Sequence, residues 1–246
     1  MNSAALNKCE ICDSTKEIRA SGGNTSGSPR GLPLTEGSIS KKVKRQTNTF
    51  AEELNEKLGG EVIYLTDDAE SWVIIKKKFD MPPSREAFNS AWSSHPPSYH
   101  KLKVFGREVF ENRWSQHWSS SHGEGYSYSG SRAIALCYKD KSIAGAEVVE
   151  ELTSRCNDLV GRADRPCYNA CLQNWYEPEH TIGLHADDEK QMDPSLPIFS
   201  LSWGGTRRFV LRPKDKDKHG GGGVRELFLD NGSLLVMGGT GASIGR

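Results

Sequence analysis

A histidine and an aspartate lie two positions apart in the segment NWYEPEHTIGLHADDEK, residues 174–190. If this segment ends a strand, His185 and Asp187 share one face, because side chains alternate along a strand. An imidazole and a carboxylate on one face, joined by a second histidine, would form a 2-His-1-carboxylate site, which leaves positions open on Fe(II) for a co-substrate and oxygen. The same spacing also occurs in ordinary surface ion pairs, so the interpretation depends on the surrounding residues.

The run CYNACLQNWY, which precedes this pair, reads as a strand. Its even positions share a face, so we expect Asn174 and Tyr176 to point the same way. Further β-like runs follow in IFSLSW, RRFVLRP and SLLVMGG, with a turn at Asn231 and Gly232 before the last of them. The chain beyond residue 165 is therefore predicted to consist of short antiparallel strands.

Helical patterns are concentrated before residue 165. TNTFAEELNEKLGG predicts a helix with a capping box formed by Thr49 and Glu52, ended by Gly59. PPSREAFNSAW predicts a second helix and AEVVEELTSRCNDLVGR a third, ended by Gly161, while EVIYL, WVIIKKKF and KLKVFG read as strands. Helices followed by a block of strands indicate an α+β fold with a β-sandwich or barrel core.

Composition excludes few partners. The 246 residues carry 32 Lys plus Arg and 32 Asp plus Glu, so net charge favours neither an acidic nor a basic partner. We expect no membrane span, because no apolar run of about 18 residues occurs. The N-terminus lacks the apolar stretch of a secretory signal, and we interpret the six cysteines as reduced thiols.

Residues 1–47 are poor in large apolar side chains, and we predict a disordered tail. Its KKVKR run, at 41–45, fits a nuclear-import or nucleic-acid patch as well as a plain basic tail. Cys9 and Cys12 form a lone CxxC, which fits an isolated zinc or redox site as well as an unstructured tail.

Five blocks in the second half of the chain resemble the AlkB family of Fe(II)- and 2-oxoglutarate-dependent dioxygenases. They are YSYSG at 126–130, N-x-Y at 174–176, HADDE at 185–189, then SLSWGGTRRFVLR and NGSLLVMGG, and they occur in the family's order. The resemblance extends over about residues 60–240. It implies a double-stranded β-helix (jelly-roll) core with supporting helices.

The resemblance also implies roles for eight residues. His185 and Asp187 would ligate Fe(II), and Asn174 and Tyr176 would hydrogen-bond 2-oxoglutarate. The remaining four would contact the substrate base, two tyrosines by stacking from a lid and two acidic residues at the rim: Tyr126, Tyr128, Asp188 and Glu189. Either tyrosine also fits a half-exposed aromatic residue of an ordinary strand.

The reaction implied is oxidative dealkylation of N-methylated bases in DNA or RNA. Iron, 2-oxoglutarate and O2 together hydroxylate the N-alkyl carbon, and the product breaks down to an aldehyde and the repaired amine. We expect a monomer in the nucleus or cytoplasm. Two other functions stay open, a non-catalytic nucleic-acid-binding module and a protein-modifying oxygenase of the same fold.

The chain departs from the family pattern at its C-terminal end. The family's second iron histidine and its R-x-N-x-[ST]-x-R run would follow LLVMGG, but no histidine occurs after His219 and the last residues read GGTGASIGR. We therefore expect residues 48–246 to form a dioxygenase domain that is incomplete at its C-terminus. The chain as printed would then be inactive or nearly so, either as an incomplete chain or as a non-catalytic product.

Overall fold

The computed structural model describes residues 47–79, 84–104, 106–123, 125–128, 131–161, 166–185, 187, 192–213, 224–239 and 244–245. Residues 1–46 of the predicted tail, with Cys9 and Cys12, lie outside this part of the chain.

Strands outnumber helices in the described residues, in agreement with a mixed α and β protein. The helices are α1 (Thr49–Leu58), α2 (Arg85–Ser93) and α3 (Ala146–Val160). The strands of the first half are β1 (Glu61–Tyr64), β2 (Ser71–Lys76), β3 (Lys101–Val104), β4 (Arg107–Phe110), β5 (Trp114–Ser119), β6 (Gly125–Tyr128), β7 (Ser131–Ile134) and β8 (Leu136–Cys137). The second half contributes β9 (Ala170–Trp175), β10 (Ile198–Ser202), β11 (Arg207–Pro213), β12 (Arg225–Leu229), β13 (Ser233–Gly239) and β14 (Ile244–Gly245).

The main sheet has the strand order β1-β2-β13-β10, and all its pairs are antiparallel. Successive side chains of its two inner strands, β2 and β13, point alternately into two hydrophobic clusters, as expected for a sheet covered on both faces. One cluster joins the sheet to α1 through Ala51, Leu54, Leu58, Trp72, Ile74, Leu234 and Val236. The other joins it to β11 and β12 through Val73, Leu211, Leu229, Leu235 and Met237. The main sheet therefore lies between a helix and a second sheet of order β12-β11-β14.

A third sheet, of order β8-β5-β9, carries the segment that leads to His185. Here β5 pairs with β9 antiparallel and with β8 parallel. Helix α3 packs on this sheet through Ala146 and Val149, which contact Trp118 and Tyr138. Two hairpins, β3-β4 and β6-β7, complete the described pairings.

Strands from the two halves of the chain pair with one another. β2 lies beside β13, and β5 lies beside β9. The predicted separation into an early helical part and a late strand block is therefore wrong. Two early strands are inner strands, β2 in the main sheet and β5 in the third sheet.

Helix α1 begins at Thr49 and its cap is Asn48, whereas the predicted capping box makes Thr49 the cap. The Asn48 side-chain oxygen accepts a hydrogen bond from the Ala51 backbone N–H at 3.2 Å. Glu52 accepts one from the Tyr64 hydroxyl at 2.5 Å, so the predicted Thr49–Glu52 capping box is wrong. Gly59, at φ 62°, ends α1, and Gly161, at φ 67°, ends α3, which confirms both predicted stops.

The strand before the candidate site is shorter than predicted. β9 ends at Trp175, so Tyr176 follows the strand, and Glu177 to His180 form a turn in which the His180 N–H donates to the Glu177 carbonyl at 3.0 Å. His185 and Asp187 also lie in no strand, and the prediction of a strand end for them is wrong. No helix of the described residues combines the length and apolar character needed to cross a bilayer.

Candidate active site

His185 and Asp187 meet in the loop after β9. The His185 Nε2 atom lies 3.2 Å from an Asp187 carboxylate oxygen, and the two side chains are 18% and 22% exposed. His185 Nδ1 lies 2.8 Å from the Gly183 carbonyl oxygen. A carbonyl only accepts hydrogen bonds, so Nδ1 donates to Gly183. Nε2 then meets the Asp187 carboxylate either as the second N–H of a charged ring or, in the neutral ring, through a cation that both atoms ligate.

This arrangement fits a divalent metal ion. Histidine ligands of metals donate their other ring N–H to a carbonyl or carboxylate, which is the contact that Gly183 provides. Two neighbouring ligands about 2.1 Å from an octahedral ion are roughly 3.0 Å apart, close to the separation of the two donor atoms here. Within the described ranges, no group of three His, Cys, Asp or Glu residues is placed to hold a metal, so the third ligand of a facial triad is not among them.

Asn174 lies on β9, directly opposite Ser115 of β5. Its side-chain oxygen accepts a hydrogen bond from the Arg113 Nε–H at 2.9 Å. Leu172 shares this face with Asn174 and lies opposite His117. Two side chains therefore border the face of β9 that carries Asn174. One is the guanidinium of Arg113, just before β5, and the other is the imidazole of His117, on β5.

Arg113 belongs to a buried polar network. Its Nη2 donates to the Glu111 carboxylate at 3.0 Å, and the two side chains are 6% and 3% exposed. The second oxygen of Glu111 accepts a hydrogen bond from the Ser115 hydroxyl at 2.7 Å. The charge on each partner is therefore compensated, as buried charges require.

His117 is the histidine of this face. Burial, with smaller contributions from the neighbouring His100 and Arg113, lowers the pKa of His117 from 6.5 to about 4. The ring is therefore neutral at physiological pH, and the face gains no second cation from it.

Tyr176 is held by a second arginine. The Arg207 guanidinium lies over the Tyr176 ring, 4.7 Å from its centroid. Arg207 Nη1 donates to the His180 carbonyl at 2.8 Å, and Nη2 donates to the Glu177 carbonyl. Arg207, at the start of β11, thereby fixes the turn that connects β9 to the His185 loop.

An aromatic cluster supports the same turn from the side of α2. His95 stacks on Trp114 with ring centroids 4.1 Å apart, and Tyr99 lies 5.0 Å from Trp114. The His180 Nδ1 accepts from the Glu177 N–H at 3.2 Å, so the proton is on Nε2, 3.1 Å from the Tyr99 hydroxyl oxygen. The ring of His180 is thus a structural hydrogen-bonding group within the core.

The predicted substrate-contacting residues are described only in part. Tyr126 and Tyr128 lie on β6, opposite Ala133 and Ser131 of β7. Asp188 and Glu189 lie outside the described residues.

Sequence reasoning missed the roles that three residues have at this site: Glu111, Arg113 and Arg207. Arg113, Ser115 and His117 do alternate, which is the pattern of one strand face. The pattern does not indicate which strand lies opposite, so the contact with Asn174 required the three-dimensional register.

Comparison with known proteins identifies the family of this chain. A model of the 2OG-Fe(II) oxygenase superfamily matches residues 72–242, well over half of the chain. The chain belongs to this superfamily. The predicted AlkB-like character is confirmed by the relatives that the chain matches.

A mouse protein named DNA oxidative demethylase ALKBH2 is 37% identical over 142 residues, which are 56% of this chain and 54% of the mouse protein. The human protein of the same name is 40% identical over 88 residues, 34% of this chain and 33% of its own length. A rat protein named alpha-ketoglutarate-dependent dioxygenase alkB homolog 3 is 33% identical over 95 residues, 37% of this chain and 31% of its own. The matches thus span about half of the first relative and about a third of the other two.

Proposed function

We propose that this chain is an Fe(II)- and 2-oxoglutarate-dependent dioxygenase that removes alkyl groups oxidatively from N-methylated bases in nucleic acid. The observation that carries the proposal is the His185–Asp187 pair, in which Nε2 lies 3.2 Å from the carboxylate and Nδ1 is fixed by the Gly183 carbonyl. The superfamily match and the names of the mouse and rat relatives support the reaction class and the substrate class.

In this proposal His185 and Asp187 hold Fe(II), while Asn174 and Tyr176 bind 2-oxoglutarate. Bound iron would supply O2 activation, which none of the protein's own side chains can provide. The chain's residues contribute orientation: Gly183 fixes the imidazole of His185, and the neighbouring arginines fix Asn174 and Tyr176. Because these contacts hold the proposed ligand-binding side chains in one orientation, little ordering entropy is lost when the co-substrate binds.

We further infer that the sheets form a double-stranded β-helix, since a helix covers one face of the main sheet and a second sheet covers the other. The substrate would be alkylated DNA or RNA. Tyr126 and Tyr128 would stack on the extruded base, and Asp188 and Glu189 would contact its cationic edge. The protein would act as a monomer in the nucleus or cytoplasm.

Metal binding provides the first test. Mn(II), a spectroscopic substitute for Fe(II), is titrated into the 246-residue chain and followed by electron paramagnetic resonance. His185→Ala should lower Mn(II) affinity by at least about tenfold, because even outer contacts of a ligand are worth that much. The matched control is His122→Ala, since His122 and Asp140 form a second His–Asp pair, 3.7 Å apart, with His122 exposed. Equal affinity in the His185 and His122 variants would reject the ligand assignment.

Turnover provides the second test. Formaldehyde release is measured with a methylated single-stranded oligonucleotide, iron, ascorbate and 2-oxoglutarate. His185→Ala should abolish any release that the parent chain shows, and Asn174→Ala should weaken 2-oxoglutarate binding while some metal affinity remains. Succinate formation without preference for a methylated oligonucleotide would instead indicate a protein-modifying oxygenase. Oligonucleotide binding without 2-oxoglutarate binding would indicate a non-catalytic module.

A further inference from the structure

The contact between Arg113 and Asn174 determines which way the Asn174 amide faces. An asparagine side chain has a donor end and an acceptor end of nearly the same shape. A guanidinium group only donates hydrogen bonds, so the end of Asn174 that lies 2.9 Å from Arg113 Nε must be the oxygen. The Nδ2 group is therefore directed away from Arg113, and it donates to none of the described residues.

Arg113 itself has little freedom to move. It is 6% exposed, and its Nη2 pairs with Glu111, which is held in turn by the Ser115 hydroxyl. The backbone on either side is also fixed, because the Glu111 N–H donates to the His100 carbonyl at 2.9 Å and Trp114 pairs with Trp175 of β9. The guanidinium is thus held in place by contacts within the protein itself.

A donor facing the ligand is what a carboxylate requires. If the amide could turn over, its oxygen would face the carboxylate half of the time and repel it. We propose that Arg113 is a positioning residue that fixes the Asn174 amide so that Nδ2 donates to a carboxylate of 2-oxoglutarate. This inference rests on the proposed function, and it adds to it a residue whose role is exerted through Asn174.

A double-mutant cycle tests the proposal. The dissociation constant of 2-oxoglutarate is measured by calorimetry on the full chain with Mn(II), for the parent, Arg113→Lys, Asn174→Ala and the double variant. Lysine retains the buried charge beside Glu111 but lacks the planar fork of donors that reaches Glu111 and Asn174 together, so the pair with Glu111 can persist while the fixed contact with Asn174 is lost. We expect Arg113→Lys to raise the dissociation constant about tenfold, the effect of one charge-assisted hydrogen bond.

The decisive result is the effect of the same change in the Asn174→Ala background. If Arg113 acts through Asn174, Arg113→Lys causes no further rise there. An equal rise in both backgrounds, or no rise in either, would overturn the proposal. If Arg113→Lys fails to fold, Glu111→Gln with Arg113→Met, which leaves no unpaired charge, replaces it in the cycle with the same expectations.

A second measurement does not depend on the co-substrate. The side-chain NH2 resonance of Asn174, assigned by its loss in Asn174→Ala, should shift in Arg113→Lys. The amide of Asn157, which donates to the carbonyls of Thr153 and Tyr168 at 3.0 Å, is the internal control and should stay in place. An unchanged Asn174 resonance would overturn the positioning role.

The two proposals fail in distinguishable ways. A parent chain that binds no 2-oxoglutarate would reject the proposed function, and the role of Arg113 in co-substrate binding with it. A parent chain that binds 2-oxoglutarate while the cycle is additive would reject the role of Arg113 alone.

Discussion

Acidification should destabilise this protein through His117. Its pKa in the folded protein is about 4, chiefly because the ring is buried, whereas an unfolded histidine titrates near 6.5. As the pH falls below 6.5, the unfolded chain therefore takes up a proton that the folded protein does not. The stability that the neutral ring provides is complete above 6.5 and is lost as the pH falls toward 4.

The size of the effect follows from these two pKa values. Proton linkage gives a loss of about 1.8 kcal/mol in the free energy of unfolding between about pH 7 and pH 5. Because the ring is still partly exposed, solvent screening reduces this to about 1 kcal/mol. For a domain of this size, that loss lowers the melting temperature by about 2–4 °C.

The assay compares thermal melts of three proteins at the two pH values. His117→Gln should remove this part of the pH dependence, because glutamine is neutral in both states. His122→Gln is the matched control and should behave as the wild type does, since the His122 side chain is 72% exposed. The reasoning would be refuted if the His117→Gln protein lost as much melting temperature as the wild type on acidification.

Three further changes test the packing and the caps around the site. Gly238→Ala should lower stability by about 1–3 kcal/mol, because its Cβ would lie 2.2 Å from the buried Trp72 ring, and Trp72→Phe should relieve part of the loss in melting experiments. Asn48→Ala should cost about 1 kcal/mol in urea unfolding through loss of the α1 cap, and no loss would contradict the cap assignment. Arg207→Leu should cost about 2–3 kcal/mol, because it removes charged hydrogen bonds to two carbonyls. The adjacent Arg208→Leu should cost less than about 1 kcal/mol, since its pair with a glutamate is exposed, and equal losses would contradict the role of Arg207.

Local sequence patterns predicted the ends of helices correctly where the residue in the pattern is itself the physical cause of the end. Gly59 and Gly161 end helices because a left-handed residue is needed there, and glycine adopts that conformation without strain. The predicted capping box was wrong because Asn48 and Thr49 are both favourable N-cap residues. The contact of Glu52 with Tyr64 distinguishes them, since it takes the Glu52 carboxylate away from the box. That contact depends on how β1 packs against α1, which no local pattern specifies.

The sequence predicted those contacts of the candidate site that join residues close together along the chain, and it missed the contacts between distant residues. The spacing of His185 and Asp187 indicated that they could converge, and they do so within a loop instead of a strand. Arg113 reaches Asn174 from the bend just before β5, about 60 residues earlier, and Arg207 reaches Tyr176 from a strand about 30 residues later. Such contacts depend on strand register, which the alternation of side chains leaves open among several possible partners.

The pairing of β2 with β13 has a consequence for how the chain folds during synthesis. Ile74 and Val236 lie opposite each other, although about 160 residues separate them. At typical ribosome speeds, β2 emerges roughly ten to thirty seconds before its partner, with only β1 available to pair with it. During that interval the apolar edge of β2 is open to other chains, which is a recognised route to aggregation. The main sheet is therefore completed late, and a chaperone that covers β2 in the interval should raise the yield of folded protein.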